Sequence, residues 1–215
     1  MRVKESNSNK YPSPVVIEAI RYFGTFISKI FWRIEFHGTE NIPQNLESGL
    51  LVVPNHQSYF DPFWVCIPIR RKYRFMAWEK AFEWFLVGDV MRYLGAFPVN
   101  LERGSKEALK QAVRALQDGA TLVIFPEGER EFSDGKMLEF KNGAIKIALL
   151  ANVPILPVTI RGANKIWAQD MKFPRFGKVE IFYHPILEIP RQAEDRREQI
   201  DKLTDKLEEI IKSKM

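Results

Sequence analysis

His56 and Asp61 stand five positions apart in the run PNHQSYFDP, residues 54–62. A carboxylate on one ring nitrogen holds an imidazole in a single tautomer. The other nitrogen is then free to take a proton from a hydroxyl or from water. The spacing restricts how the two side chains meet. On one continuous helix, five residues turn through about 140° and end on different faces. Pairing therefore requires residues 57–60 to loop back toward the helix that Asp61 and Pro62 open. Asp at a cap with Pro in the first turn is a favoured helix start in its own right. The same residues thus also fit a plain helix cap beside a histidine in a polar loop, and the spacing alone does not choose.

A second group follows in FPEGER, residues 125–130. Here an apolar run delivers Glu127, Gly128 and Arg130 to a loop. Glycine lets backbone N–H groups approach a ligand, and a guanidinium makes forked hydrogen bonds to phosphate or carboxylate. An ordinary turn with an internal Glu–Arg pair has the same composition. Arg103 in NLERG and Lys141 in FKNGA each precede a helix, where anions are favoured, and each also reads as plain surface charge. The lone cysteine, Cys66, lies in the apolar run FWVCIPI and reads as a buried thiol. The three histidines are far apart, so no metal site is expected.

These groups need elements to carry them. Residues 13–32 have apolar side chains at Val16, Ile20, Phe23, Ile27 and Ile30/Phe31, a helical spacing rich in aromatics. That stripe fits either core packing or a helix lying in a bilayer interface. Beyond it, strand signals at 33–37, 49–54, 73–78, 97–100, 121–125, 155–160 and 178–183 alternate with helical signals at 61–69, 81–94, 105–117, 142–151 and 193–211. This alternation predicts an α/β domain with a mixed, largely buried sheet flanked by helices. Both chemical groups fall just after apolar strands, where sites of open α/β sheets gather.

The net charge of +5 suits an anionic membrane, a phosphorylated substrate or nucleic acid alike. The tail from residue 191 is balanced, so the excess lies before it, where Arg70, Arg71, Lys72 and Arg74 cluster. The start, MRVKESNSNK, is polar, without the apolar region and small-residue cleavage site of a signal peptide. The longest stretch free of charge, 147–160, is shorter than the roughly 18–20 residues that span a bilayer.

Taken in order, NHQSYFD, GAFPVNLERG, FPEGER, FKNGA and VPILPV resemble the blocks of the lysophosphatidate and glycerol-phosphate acyltransferase family, over about residues 34–186. Glu129 stands where that family usually has Thr or Ser, and Asn100, Leu101 and Glu102 precede Arg103 where Asp-Arg is common. Both departures lie in regions that the family uses for its phosphate-bearing acceptor. The resemblance implies acyl transfer from an acyl-CoA or acyl carrier protein to the hydroxyl of a 1-acylglycerol-3-phosphate, without a cofactor. Another lyso-lipid acceptor, or hydrolysis by the same pair, are the alternatives. It implies His56 as general base, Asp61 as its partner, and Arg103, Glu127, Gly128, Arg130 and Lys141 as acceptor and phosphate groups, with Glu127 positioning the acceptor or the loop and the Gly128 N–H open to the oxyanion. It further implies residues 1–32 as a polar start and membrane-interfacial helix, and residues 33–215 as the catalytic α/β domain. The expected location is the cytoplasmic face of a membrane, peripheral or monotopic, with no nucleic-acid partner.

Overall fold

The computed structural model describes residues 12–78, 82–83, 87–93, 95–99, 106–190 and 196–215. Its centre is a sheet of strands β1 (Glu35–His37), β2 (Leu50–Pro54), β3 (Tyr73–Trp78), β4 (Ala96–Val99), β5 (Thr121–Val123), β6 (Ile155–Arg161) and β7 (Glu180–Tyr183). Among the described residues the spatial order is β1-β7-β6-β2-β5-β3-β4, and all neighbours run parallel except β6 and β7. The sheet is mixed, as the alternating pattern predicts.

Central strands read as unbroken apolar runs because both faces are covered. Side chains alternate across the sheet. Leu50 and Val52 join Trp64, Val65, Val158, Ile160 and Ile181 on one side. That side carries α2 (Asp61–Cys66). Leu51 and Val53 join Ala112, Leu116, Ile145, Ala148, Leu207 and Ile211 on the other. There the cover is α4 (Lys106–Gln117), α5 (Gly143–Ala151) and α7 (Arg196–Lys212).

The expected helix over 81–94 is not one continuous element. The described residues show a 3-10 turn at Phe82 and Glu83, then α3 (Val87–Tyr93). A Cβ on Gly88 would strike the Phe82 backbone, so this glycine permits the close return of the chain. The four-residue α6 (Asn164–Trp167) carried no periodic signal and was not expected.

The N-terminal helix α1 (Pro14–Trp32) starts at Ser13, whose hydroxyl accepts from the Val16 amide, with Pro14 in the first turn. Its burial is inverted relative to an ordinary amphipathic helix. Ile17, Arg21, Gly24 and Ser28 face the protein, while Val15, Val16, Tyr22, Phe23, Phe26, Ile30 and Phe31 are exposed. Gly24 admits the Phe63 ring so closely that a Cβ there would overlap it. Ser28 Oγ accepts a 3.0 Å bond from Trp64 Nε1. The small and polar side of the helix thus meets the domain. No helix among the described residues is long and apolar enough to cross a membrane.

Candidate active site

β2 and β5 are parallel neighbours, so their C-terminal ends lie on the same sheet edge. That is why two loops far apart in sequence meet. The loop after β2 carries His56, and the turn that leads from β5 carries Glu127, with 71 positions between them. On the other flank, Asn55 fastens the histidine loop to β6: its side chain accepts from the Ile160 amide at 2.7 Å and donates to the Ile160 carbonyl at 3.0 Å.

The loop folds back as pairing requires. His56 Nδ1 lies 2.9 Å from Asp61 Oδ2, and that oxygen also accepts from the amides of Gln57 and Ser58, each at 2.6 Å. Asp61 is therefore both the cap of this turn and the partner of the ring. The carboxylate assigns the ring proton to Nδ1 and leaves Nε2 as the basic atom. Phe125 stacks on the imidazole with centroids 3.9 Å apart. Burial lowers the His56 pKa well below 6.5, and the nearby Arg130 charge adds to the effect. Burial also pushes Asp61 up to about 8, against its two amide donors and Arg130.

Glu127 is spent on backbone. Its Oε1 accepts from the His56 amide at 2.7 Å and its Oε2 from the Leu138 amide at 2.8 Å. Both oxygens accept backbone amides, so Glu127 braces the two loops that carry the site. Glu127→Ala would take the carboxylate partner from two part-buried amides, each costing about 1–3 kcal/mol. The expected result is a loss of about 2–6 kcal/mol in urea unfolding; a change inside ±0.5 kcal/mol, the range of ordinary surface substitutions, would contradict the brace.

Gly128 has φ +79° and its amide donates to Phe125 O at 3.2 Å, so that N–H is engaged in the turn and is not open to an oxyanion. A Cβ on Gly128 would come within 2.7 Å of Lys141 Nζ, which places the exposed Lys141 directly over this glycine. The Arg130 guanidinium lies over the Tyr59 ring at 3.7 Å, and its buried Nε has no hydrogen-bond partner among the described residues. Arg130 thus offers a forked cation beside the His–Asp pair. The structure brings together His56, Asp61, Glu127, Gly128, Arg130 and Lys141. Arg103 lies outside the described residues.

Three supporting residues escaped sequence reasoning. Glu131, fully buried, accepts from Gln57 Nε2 at 3.0 Å and from Asn55 Nδ2 at 3.3 Å, and its amide donates to His56 O at 2.7 Å. Gln57 Oε1 in turn accepts from the Ala163 amide at 3.0 Å. The signal was present, since Asn55 and Gln57 flank the histidine and Glu131 follows Arg130, but polar residues in a loop do not announce that they are buried.

The buried carboxyls set a pH dependence of stability. Burial raises Glu127 to about 8 and Glu131 to about 7, as it does Asp61. Above about 4.5 the unfolded chain has released these protons while the folded chain still holds them, so stability falls from there until the folded groups ionise near pH 7–8. His56, shifted down, works the other way only below its ordinary value of 6.5. The Tm should therefore be several degrees lower at pH 8.5 than at pH 6.5; a Tm that rises over this interval would contradict it.

The family model described as Acyltransferase matches residues 33–161. A chloroplastic 1-acyl-sn-glycerol-3-phosphate acyltransferase of Brassica napus is 31% identical over 175 residues, covering 76% of this chain and 50% of its own length. One from Streptococcus pneumoniae is 33% identical over 166 residues, covering 73% of this chain and 59% of its own. The chain thus spans about half the length of such curated plant relatives. The crystal structure of the 1-acyl-sn-glycerophosphate acyltransferase PlsC from Thermotoga maritima superposes with a TM-score of 0.76 at 30% identity, covering 92% of this chain and 77% of that one.

Proposed function

Because the chain belongs to the acyltransferase family, we propose that it moves a fatty acyl group from an acyl-CoA or acyl carrier protein thioester to the free hydroxyl of 1-acylglycerol-3-phosphate, giving phosphatidate. The observation that carries this reading is the 2.9 Å pairing of His56 Nδ1 with Asp61 Oδ2 beside the Arg130 cation. His56 Nε2 takes the hydroxyl proton as the alkoxide oxygen attacks the thioester carbonyl. The C–S bond breaks as the tetrahedral intermediate collapses, and the imidazolium returns the proton to the leaving thiolate. No covalent enzyme intermediate is needed: Cys66 is buried, and burial pushes its thiol far above the usual range. Arg130 and Lys141 meet the acceptor phosphate and the charge that builds on the carbonyl oxygen. The exposed apolar side of α1 rests in the interface of the bilayer that holds acceptor and product.

Several lyso-acceptors and acyl donors offered together, with products read by mass spectrometry, test the assignment. Phosphatidate is the expected product. Ester formed only on another lyso-lipid would overturn the acceptor, and free fatty acid alone would make water the acceptor.

Arg130 has its own expected result. A lost charge-assisted bond to phosphate is worth about 10- to 100-fold. Arg130→Ala should raise the acceptor KM by that factor and leave the donor KM within about twofold. Equal rises in both constants would remove Arg130 from the acceptor site.

A further inference from the structure

The segment between α6 and β7 reads MKFPRFGKV, residues 171–179. Phe173 and Phe176 are 78% and 77% exposed, the same range as Tyr22, Phe23 and Phe26 on α1. Two phenylalanines so exposed within four residues oppose the hydrophobic effect in water and require a reason. Disorder is not that reason, because the backbone is fastened along its length. The Arg175 amide donates to Ile166 O at 2.9 Å and the Arg175 carbonyl accepts from Trp32 Nε1 at 2.9 Å. The Val179 amide donates to Trp32 O at 3.1 Å, and Ser133 binds Asp170 at the segment's start.

The exposed rings are continuous with the exposed side of α1. Phe176 stacks on Phe31, with centroids 5.5 Å apart and planes 15° from parallel. The two stretches that make this surface, residues 19–33 and 171–179, contain no Asp or Glu. They carry Lys29, Arg33, Lys172 and Arg175, all exposed, with Lys178 alongside in pairs with Glu35 and Glu180. Aromatic rings with interleaved cations and no acids match the boundary between acyl chains and anionic headgroups.

We infer that residues 171–176 form a second membrane foot beside α1, with Phe173 and Phe176 entering the acyl boundary and Lys172 and Arg175 binding the phosphates of anionic phospholipids. This rests on the proposed interfacial role of α1 and adds the lipid charge that the surface selects. The foot is also tied to the active site. The Tyr59 amide donates to Trp167 O, the Tyr59 and Trp167 rings pack at 4.7 Å, and the Gln169 amide donates to Glu131 O. Two points of contact fix the tilt of the domain on the bilayer, where one helix alone leaves rotation about its axis free.

Cosedimentation of the full chain with vesicles of phosphatidylcholine alone, or mixed with phosphatidylglycerol, tests this. Each interfacial cation is worth about fivefold in partitioning. K172Q/R175Q should therefore bind the anionic vesicles about 30-fold less well and the neutral vesicles unchanged. F173S/F176S should lose at least about 10-fold on both. Wild-type binding by both variants would overturn the foot, as would an equal loss by K172Q/R175Q on both vesicles, or a change in oligomeric state in place of vesicle binding. Since Cys66 is buried, an environment-sensitive dye on P174C labels only the loop; its emission should shift to the blue on anionic vesicles, and no shift would overturn the inference. The α1 variant F23S/F26S separates the two readings. If it releases the protein while the loop variants bind normally, the foot fails and the helix stands. If it binds normally while the loop variants release, the helix reading fails alone.

Discussion

His56→Ala should abolish acyl transfer while the domain stays folded. In the proposed mechanism the imidazole accepts the hydroxyl proton, and general-base action is worth roughly 10²- to 10⁴-fold. Truncation leaves the loop itself intact, because its shape is held by backbone. The His56 amide binds Glu127, its carbonyl binds the Glu131 amide, and Asp61 keeps the Gln57 and Ser58 amides. Acceptor KM should accordingly change little while kcat falls. The measurement is steady-state kinetics with each substrate varied, beside a thermal melt of the variant. Turnover within a few-fold of wild type in a protein of unchanged Tm would remove His56 from the reaction.

Asp61→Asn comes second in size and separates charge from geometry. Asp61 Oδ2 accepts three donors, while the buried Oδ1 has no partner among the described residues. An asparagine can keep its oxygen on the three donors and turn its NH2 toward the vacant side, so the loop survives. What disappears is the negative charge that offsets the imidazolium formed in the transition state. The expected loss in kcat is about 10²- to 10⁴-fold. A pH signature goes with it. In the proposed mechanism the working form has Asp61 ionised and the ring neutral, and one further proton on the pair removes the free Nε2 lone pair. Burial raises Asp61 to about 8, so kcat/KM of the wild type should fall as pH drops through that region, with the apparent pKa belonging to the pair. Asp61→Asn should lack this limb. A wild-type profile flat from pH 6 to 9 would refute the account, as would a variant that keeps the limb.

Much of the site was legible because its parts are short-range. PNHQSYFDP holds the imidazole, its carboxylate partner and the helix start within nine positions, and the only geometric condition was a loop that turns back. FPEGER announced a glycine turn and a cation. Which amides Glu127 binds was not legible, because an acid in a loop looks the same whether it faces solvent or two amides. Asn55, Gln57 and Glu131 were hidden for the same reason: Ile160 and Ala163, the partners of Asn55 and Gln57, lie 105 and 106 positions away, and Glu131 lies 76 and 74 positions from the two side chains it binds. The fold was readable from alternation of apolar runs. What alternation cannot give is the side of α1 that faces the domain. Val16, Phe23 and Ile30 make a regular stripe, yet they point away, and Gly24 and Ser28 make the contact. Periodicity finds a helix; it does not say what solvent the apolar side has chosen.

The wiring between β2, β5 and β6 has a consequence for how the polypeptide is made. Among the described residues, the bonds that shape the histidine loop from outside close over 71 to 160 positions. Such closures form late, after their entropic cost has been met by strand pairing. A nascent chain on the ribosome that has just exposed its histidine and aspartate therefore holds them without a fixed relation. On this order of closure the two side chains gain their fixed relation only after the stretch through Trp167 has emerged and docked.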